Sequence, residues 1–234
     1  MIKSEINSKS PVHLGLILDG NRRWAKKNNL TAIEGHRAGY LNLKKIIKIS
    51  KKHDIQYISA FVFSSENWKR GNDEVKNLMK LFSWVLKHEV KEISKEGIRL
   101  KVIGSKMRIG KALVKAIHDA EEATKDNTKG TLLLCLDYGG QQEIVEATKR
   151  IVESGIDPKD ITPELISQNL DMPGIPPLDL IIRTSGEHRL SNFMLWESAY
   201  SELFFVNKLW PDFSEANFES ILKKYSKIKR NFGQ

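Results

Sequence analysis

Six short apolar runs, each of strand length, recur along the chain with longer helical segments between them. They are HLGLIL (13–18), YISAFVF (57–63), IRLKVIG (98–104), TLLLCLD (131–137), LDLIIRT (178–184) and ELFFV (202–206), all rich in β-branched or aromatic residues. In the segment DEVKNLMKLFSWVLKHEVKEI (73–93), Val75, Leu78, Met79, Phe82, Val85, Leu86 and Ile93 fall at three-four spacing, which predicts a helix. Asp73 and Glu74 suit the positive end of its dipole. Strands separated by crossover helices run in the same direction, so the expected class is α/β. The chain should form a single domain whose six-stranded, mostly parallel sheet is flanked by helices. No repeat or long linker interrupts it, and DMPGIPPLD (171–179) reads as a loop into the fifth strand. Residues 1–12 read as a flexible N-terminal segment and 13–234 as the domain.

With 234 residues, 40% of them hydrophobic, the chain can bury one substantial core. No apolar run reaches the roughly 20 residues of a membrane span, and the polar start MIKSEINSKSPVH lacks a signal-peptide core. The single cysteine, Cys135, excludes a disulfide framework and a thiolate zinc cluster, so a cytoplasmic location is expected. The formal charge of +9 suits an anionic partner: nucleic acid, lipid head group or phosphorylated small molecule. Most lysines are scattered as on solvated helix faces, so charge alone does not select among these.

The selection comes from strand ends. In open parallel sheets, ligands sit beyond the carboxyl ends of strands. The first run ends in DGNRRWA, the second in SSENWKR and the fifth in RTSGEHRLSNF, whereas LDYGGQQE after the fourth looks mainly like a turn into a helix. If the three clusters converge, they assemble Asp19, Glu66 and Asn67 with Arg22, Arg23, Arg70, Arg183 and Arg189, and Ser64, Ser65, Thr184, Ser185 and Ser191 add hydroxyls. Planar guanidinium forks clamp phosphate oxygens in pairs, and Gly20 and Gly186 let backbone amides approach. A carboxylate among so many cations calls for a divalent ion bridging it to phosphate, and Mg²⁺ commonly uses one or two carboxylates plus substrate phosphates. Phe61, Phe63, Trp68, Phe82 and Trp84, with Val85 and Leu86, suggest an apolar channel beside the clamp. That combination suits an isoprenoid diphosphate. No Walker loop or G-x-G-x-x-G supports a nucleotide.

The motifs LDGNRRWAKK, EGHRAGY, FVFSSENWKR, LDYGGQQEI, IIRTSGEHRLSNFMLWESAYSELFF and LWPDF, spanning residues 14 to 213, resemble the cis-prenyltransferase, or undecaprenyl diphosphate synthase, family. The resemblance implies a fold with a hydrophobic tunnel, distinct from the helical trans-prenyltransferases, whose D-D-x-x-D box is absent here. It implies repeated condensation of isopentenyl diphosphate onto an allylic diphosphate primer, Mg²⁺ dependence and a homodimer. It makes Asp19 the essential, Mg²⁺-contacting acid, and Gly20, Asn21, Arg22, Arg23 and His36 the holders of the allylic diphosphate with Trp24 as wall behind it. It places Ser64, Ser65, Glu66, Asn67, Trp68 and Arg70 on a loop that closes between the substrates. Arg183, Arg189, Leu190 and Ser191 would clamp isopentenyl diphosphate, and Glu202 would be a second Mg²⁺ ligand, reaching across the dimer.

Asn67 stands at the position often called the proton acceptor, yet a neutral amide is too weak a base at pH 7. Its expected role is to orient substrate or relay the proton while a diphosphate oxygen takes it. Ala32 stands where many members carry arginine, and Arg22, where bacterial members often have glycine, is the candidate replacement. A basic RNA-binding protein would show arginine–aromatic platforms or an RNA motif, and neither is present. A non-catalytic partner subunit would typically have lost the first Asp and the R-x-S-N run, and both are kept. A long lipid product must be handed to a membrane, so transient contact with a membrane surface is expected, with the lysine-rich tail after Tyr225 one candidate.

Overall fold

A computed structural model describes residues 10–230. The six runs form β1 (His13–Ile17), β2 (Tyr57–Ser64), β3 (Arg99–Ile103), β4 (Thr131–Tyr138), β5 (Leu180–Arg183) and β6 (Glu202–Phe205). They pair in one sheet of order β3-β4-β2-β1-β5-β6, and every pairing is parallel. Around it lie α1 (Asn21–Lys27), α2 (Ala32–Lys52), α3 (Asn72–His88), α4 (Val90–Lys95), α5 (Lys111–Thr124), α6 (Gly140–Glu153), α7 (Pro163–Gln168) and α8 (Glu215–Tyr225). The sheet separates two apolar layers. The larger packs α2, α3, α4, α5 and α8 on one face, and the smaller gathers Ile17, Leu133, Cys135 and Phe193 on the other. Burial on both faces explains why the strands read as continuous apolar runs. Residues 1–9 of the expected N-terminal segment lie outside the described residues; Pro11 is already buried.

The predicted helix over 73–93 is two helices. The chain bends at Glu89, which ends α3 and starts α4, and the bend turns Val90 and Ile93 onto the larger apolar layer. Trp84 is exposed on α3 and does not line the cavity, outside the channel suggested for it. The 171–179 loop leads into β5 as expected. The tail folds back as far as it is described: Arg230 binds the carboxylate of Asp179 and donates to the Tyr225 hydroxyl at 3.1 Å.

The strand order accounts for the site. β2, β1 and β5, the three strands with polar ends, are adjacent at the centre of the sheet. Ile17 is level with Phe61 on one side and Arg183 on the other, so the residues that follow each strand emerge together at one edge.

Candidate active site

Asp19 lies two residues beyond β1. The chain here is fixed by its backbone: the Asp19 carbonyl accepts from the Thr184 hydroxyl at 2.7 Å and from the Trp210 amide at 3.0 Å. Gly20 then turns the chain into α1 at φ 108°, and a Cβ there would stand 3.1 Å from the Leu209 Cα, so conformation and space both require glycine. On α2, a Cβ at Gly39 would fall 2.2 Å from the Asn21 side-chain oxygen. The two glycines let α1 sit tightly between α2 and the 210–212 turn, which fixes where Arg22 and Arg23 emerge.

The carboxylate opened by β1 holds two arginines. Arg183 Nη2 donates to Asp19 Oδ2 at 3.0 Å, and Arg23 Nη2 lies 3.5 Å from Oδ1. Arg183 is almost wholly buried, its second amino group donates to the Arg189 carbonyl and to Ser191 Oγ at 2.7 Å, and its Nε has no partner. Arg23 reaches Ser185, through its carbonyl at 3.2 Å and its hydroxyl. The 185–194 loop holds Ser185, Ser191, Asn192 and Met194 at positive φ, a concentration of strained backbone of the kind that gathers at functional sites. Arg189 extends outward and pairs with Glu187 at 2.6 Å, and Leu190 packs into the smaller apolar layer.

A second cluster forms around Glu74, in the first turn of α3. Its Oε1 lies 3.2 Å from Arg70 Nη1, 3.6 Å from Arg22 Nε and 3.8 Å from His36 Nε2. One carboxylate thus gathers three cationic or donor groups from α1, α2 and the 65–70 turn. Burial, reinforced by the positive charge of Arg70, lowers His36 to about 4, so it is neutral at pH 7. His36 Nε2 is buried without a hydrogen-bond partner, as is the Asn21 side-chain oxygen. Orphaned polar atoms beside gathered cations mark a place prepared for a polar ligand. Sequence reasoning assigned Glu74 only to the helix dipole. Its position one turn after Arg70 was the available signal.

The turn Ser65–Lys69 follows β2 as a short 3-10 segment. Asn67 Oδ1 accepts from the Ser64 amide at 3.2 Å, which leaves its NH₂ group for other partners. Glu66 accepts from the Asn192 side chain at 3.0 Å, joining this turn to the fifth-strand loop. Asn192 also caps α6, accepting from the amides of Gly140 and Gln141 at 2.7 and 2.8 Å. DYGGQQE is therefore more than a turn, because its glycines seat the clamp loop. Trp24 donates to Asp212 at 2.7 Å and anchors α1 from behind, away from the cavity lining.

A cavity of about 290 Å³ opens at Asp19, Asn21, Asn67 and Arg183 and runs inward between the sheet and α2–α4. Its walls are apolar, with Phe61, Val62, Phe63, Phe82 and Val85 near the middle and Ile98, Leu100 and Leu132 at depth. Between α2 and the α3–α4 bend its flank is closed by ion pairs, Lys44 to Glu89 and Glu92 at 2.7 Å each and Lys48 to Glu92 at 3.0 Å. A cation-rich mouth where arginines meet the carboxylates of Asp19 and Glu74, over an apolar recess, fits a molecule with a diphosphate head and a hydrocarbon tail.

Glu202 stands apart. It opens β6 level with Leu180, at the opposite end of the strands from Asp19, so the two carboxylates are not brought together within the chain. Among the described residues, no group of three or more His, Cys, Asp and Glu could hold a metal alone. Asp19 nonetheless lines the cavity, with its Oδ1 only loosely engaged at 3.5 Å. That arrangement fits a Mg²⁺ whose other ligands are diphosphate oxygens and water.

Residues 17–233 match the family model described as "Putative undecaprenyl diphosphate synthase". The chain is 44% identical over 225 residues to an isoprenyl transferase of Thermotoga maritima, covering 95% of this chain and 97% of that protein. It is 42% identical over 233 residues to the ditrans,polycis-undecaprenyl-diphosphate synthase ((2E,6E)-farnesyl-diphosphate specific) of Legionella pneumophila, covering 98% of each. The crystal structure of lavandulyl diphosphate synthase from Lavandula x intermedia in complex with dimethylallyl diphosphate superposes with a TM-score of 0.92 at 37% identity, covering 97% of this chain and 99% of that one. The matches cover nearly the whole length of the chain, and the chain belongs to the isoprenyl transferase family of undecaprenyl diphosphate synthases.

Proposed function

We propose that this chain condenses isopentenyl diphosphate repeatedly onto an allylic diphosphate primer, such as farnesyl or geranylgeranyl diphosphate, to give a long-chain cis-polyprenyl diphosphate that serves as precursor of a lipid glycan carrier. The observation that carries the reading is Asp19, held by Arg183 and Arg23 at the mouth of an apolar cavity.

In this reading Arg22, Arg70, His36 and Asn21 bind the allylic diphosphate in place of Glu74, and Arg22 takes over the contact that Ala32 does not supply. Arg183, Arg189 and Ser191 bind isopentenyl diphosphate. Asp19 would hold a Mg²⁺, which would supply charge neutralisation for the departing diphosphate. The allylic carbon–oxygen bond breaks with its electron pair leaving on the diphosphate, and the isopentenyl double bond supplies the new carbon–carbon bond. A proton then leaves the adjacent carbon. The Asn67 oxygen already accepts from the Ser64 amide, so its NH₂ orients a diphosphate oxygen, and that oxygen takes the proton. The growing tail enters the cavity, where apolar walls exclude water from the cationic centre.

The active form is a homodimer built on β6, a sheet edge with Leu203 and Tyr200 exposed nearby. Glu202 then serves the metal of a second chain. No helix among the described residues is long and apolar enough to cross a membrane, and product transfer requires transient contact with a bilayer surface. The test is turnover by the purified chain with labelled isopentenyl diphosphate, Mg²⁺ and each primer from dimethylallyl to geranylgeranyl diphosphate, products being sized after dephosphorylation. Extractable label that requires Mg²⁺ and Asp19 supports the reading. No product with any primer overturns it in favour of a partner subunit.

A further inference from the structure

Asp137 carries a carboxylate with no exposed surface at the end of β4, and nothing in the proposed reaction uses it. Its backbone sits at φ 52°, unusual for a residue other than glycine. Two side chains converge on it. Trp68 Nε1 donates to Oδ1 at 2.8 Å, while Arg108, from the loop after β3, donates its Nε to Oδ2 at 3.2 Å and its Nη2 to Oδ1. The Arg108 guanidinium also lies over the Trp68 ring, 5.2 Å from its centroid, and Phe63 packs edge-on against the same ring at 5.3 Å. Trp68 is thereby held at its polar atom, one face and its edge. It is the neighbour of Asn67 and lies two residues before Arg70, within a turn that is also tied by the Glu66–Asn192 bond and by the Arg70–Glu74 ion pair.

We infer that Arg108, anchored on Asp137, is a positioning residue: it clamps Trp68 and so fixes the 65–70 turn that presents Asn67 and Arg70 to the two diphosphates. The inference deepens the proposed reaction and rests on it for its catalytic consequence, but its structural half does not. The guanidinium fork engages both carboxylate oxygens and leaves its planar face for the indole, a geometry an ammonium does not reproduce. Arg108 is itself half exposed, so its removal opens no core cavity.

The experiment compares wild type with Arg108→Ala, Arg108→Lys and Asp137→Asn in two measurements. One is the rate of tryptic cleavage after Lys69 and Arg70, followed by fragment mass. The other is steady-state turnover, with kcat and the KM for each substrate. Expected for Arg108→Ala is a several-fold faster cleavage at these two sites, larger than at other tryptic sites in the chain, with a lowered Tm because the buried Asp137 carboxylate loses its cation. Its kcat should fall about tenfold or more, as misplacement of positioned groups does, and the KM for primer should rise as well because Arg70 moves with the turn. Arg108→Lys should recover little of either. Asp137→Asn keeps an acceptor for the indole and should fall between wild type and Arg108→Ala. Cleavage and kcat in Arg108→Ala both within twofold of wild type overturn the inference, and full recovery by Arg108→Lys overturns the part given to stacking. An inactive wild type with faster cleavage of Arg108→Ala overturns the reaction and leaves the positioning role standing.

Discussion

Asp19 concentrates the chemistry on one carboxylate. Asp19→Ala should cut product formation by about two to three orders of magnitude, as loss of a preorganised electrostatic contact does, and should lower Tm because the buried Arg183 guanidinium loses its carboxylate. Asn67→Asp separates orientation from proton abstraction: an Asp would be a stronger base but loses the NH₂ donor, so turnover should fall, and wild-type rates would refute the amide role. Burial lowers both His13 and His36 to about 4 from 6.5 in the unfolded chain. The unfolded state therefore takes up protons first, and stability present above pH 6.5 is lost as pH falls toward 4. The loss is at most roughly 3 kcal/mol per histidine, and denaturant titrations at pH 7.5, 6 and 5 should show it. Glu197 runs the other way. Burial, with Glu143 nearby, raises it to about 8, and its Oε2 is buried without a partner. Its stabilising proton is present below 4.5 and lost as pH rises through 8. Glu197→Gln should then raise stability at pH 8.5 by at least about 1 kcal/mol, a Tm gain of roughly 2–4 °C, and less at pH 6.

At the level of the element, α1 is placed by contact with α2, and Gly39 is the point of closest approach. Gly39→Ala should push α1 outward with Arg22 and Arg23, raising the primer KM about tenfold or more while the 21-residue α2 persists. Titration of the variant with primer tests this, and an unchanged KM would mean that α1 does not set the clamp. Elements were also what the sequence disclosed most readily. All six strands were legible because burial on both faces leaves uninterrupted apolar runs, and the gathering of polar residues at one sheet edge was legible because Asp19, Arg183 and Asn67 lie at or shortly beyond the ends of such runs. The break at Glu89 was not legible, because no proline or glycine marks it and tertiary packing bends the chain there. Glu74, Asp137 and Arg108 were missed for a related reason. Each looks like an ordinary helix-cap, turn or loop residue, and its meaning comes only from partners on other elements.

At the scale of the molecule, the proposed dimer depends on the β6 edge. Leu203→Lys should convert a particle of twice the chain mass into one of single mass by light scattering, with loss of turnover if Glu202 serves the neighbouring site. A wild type of single mass with full activity would remove β6 from the argument. The sheet order bears on synthesis as well as activity. β1 is made long before its second neighbour, β5, and His13 and its partner Asp179 stand 166 residues apart. A ribosome that has not yet released Leu180 has delivered the central strand with one side unpaired. Contacts so distant along the chain slow folding. The nascent HLGLI segment is thus a natural client for holding chaperones, and a transcript truncated before Leu180 should yield an aggregating fragment with no vestige of activity.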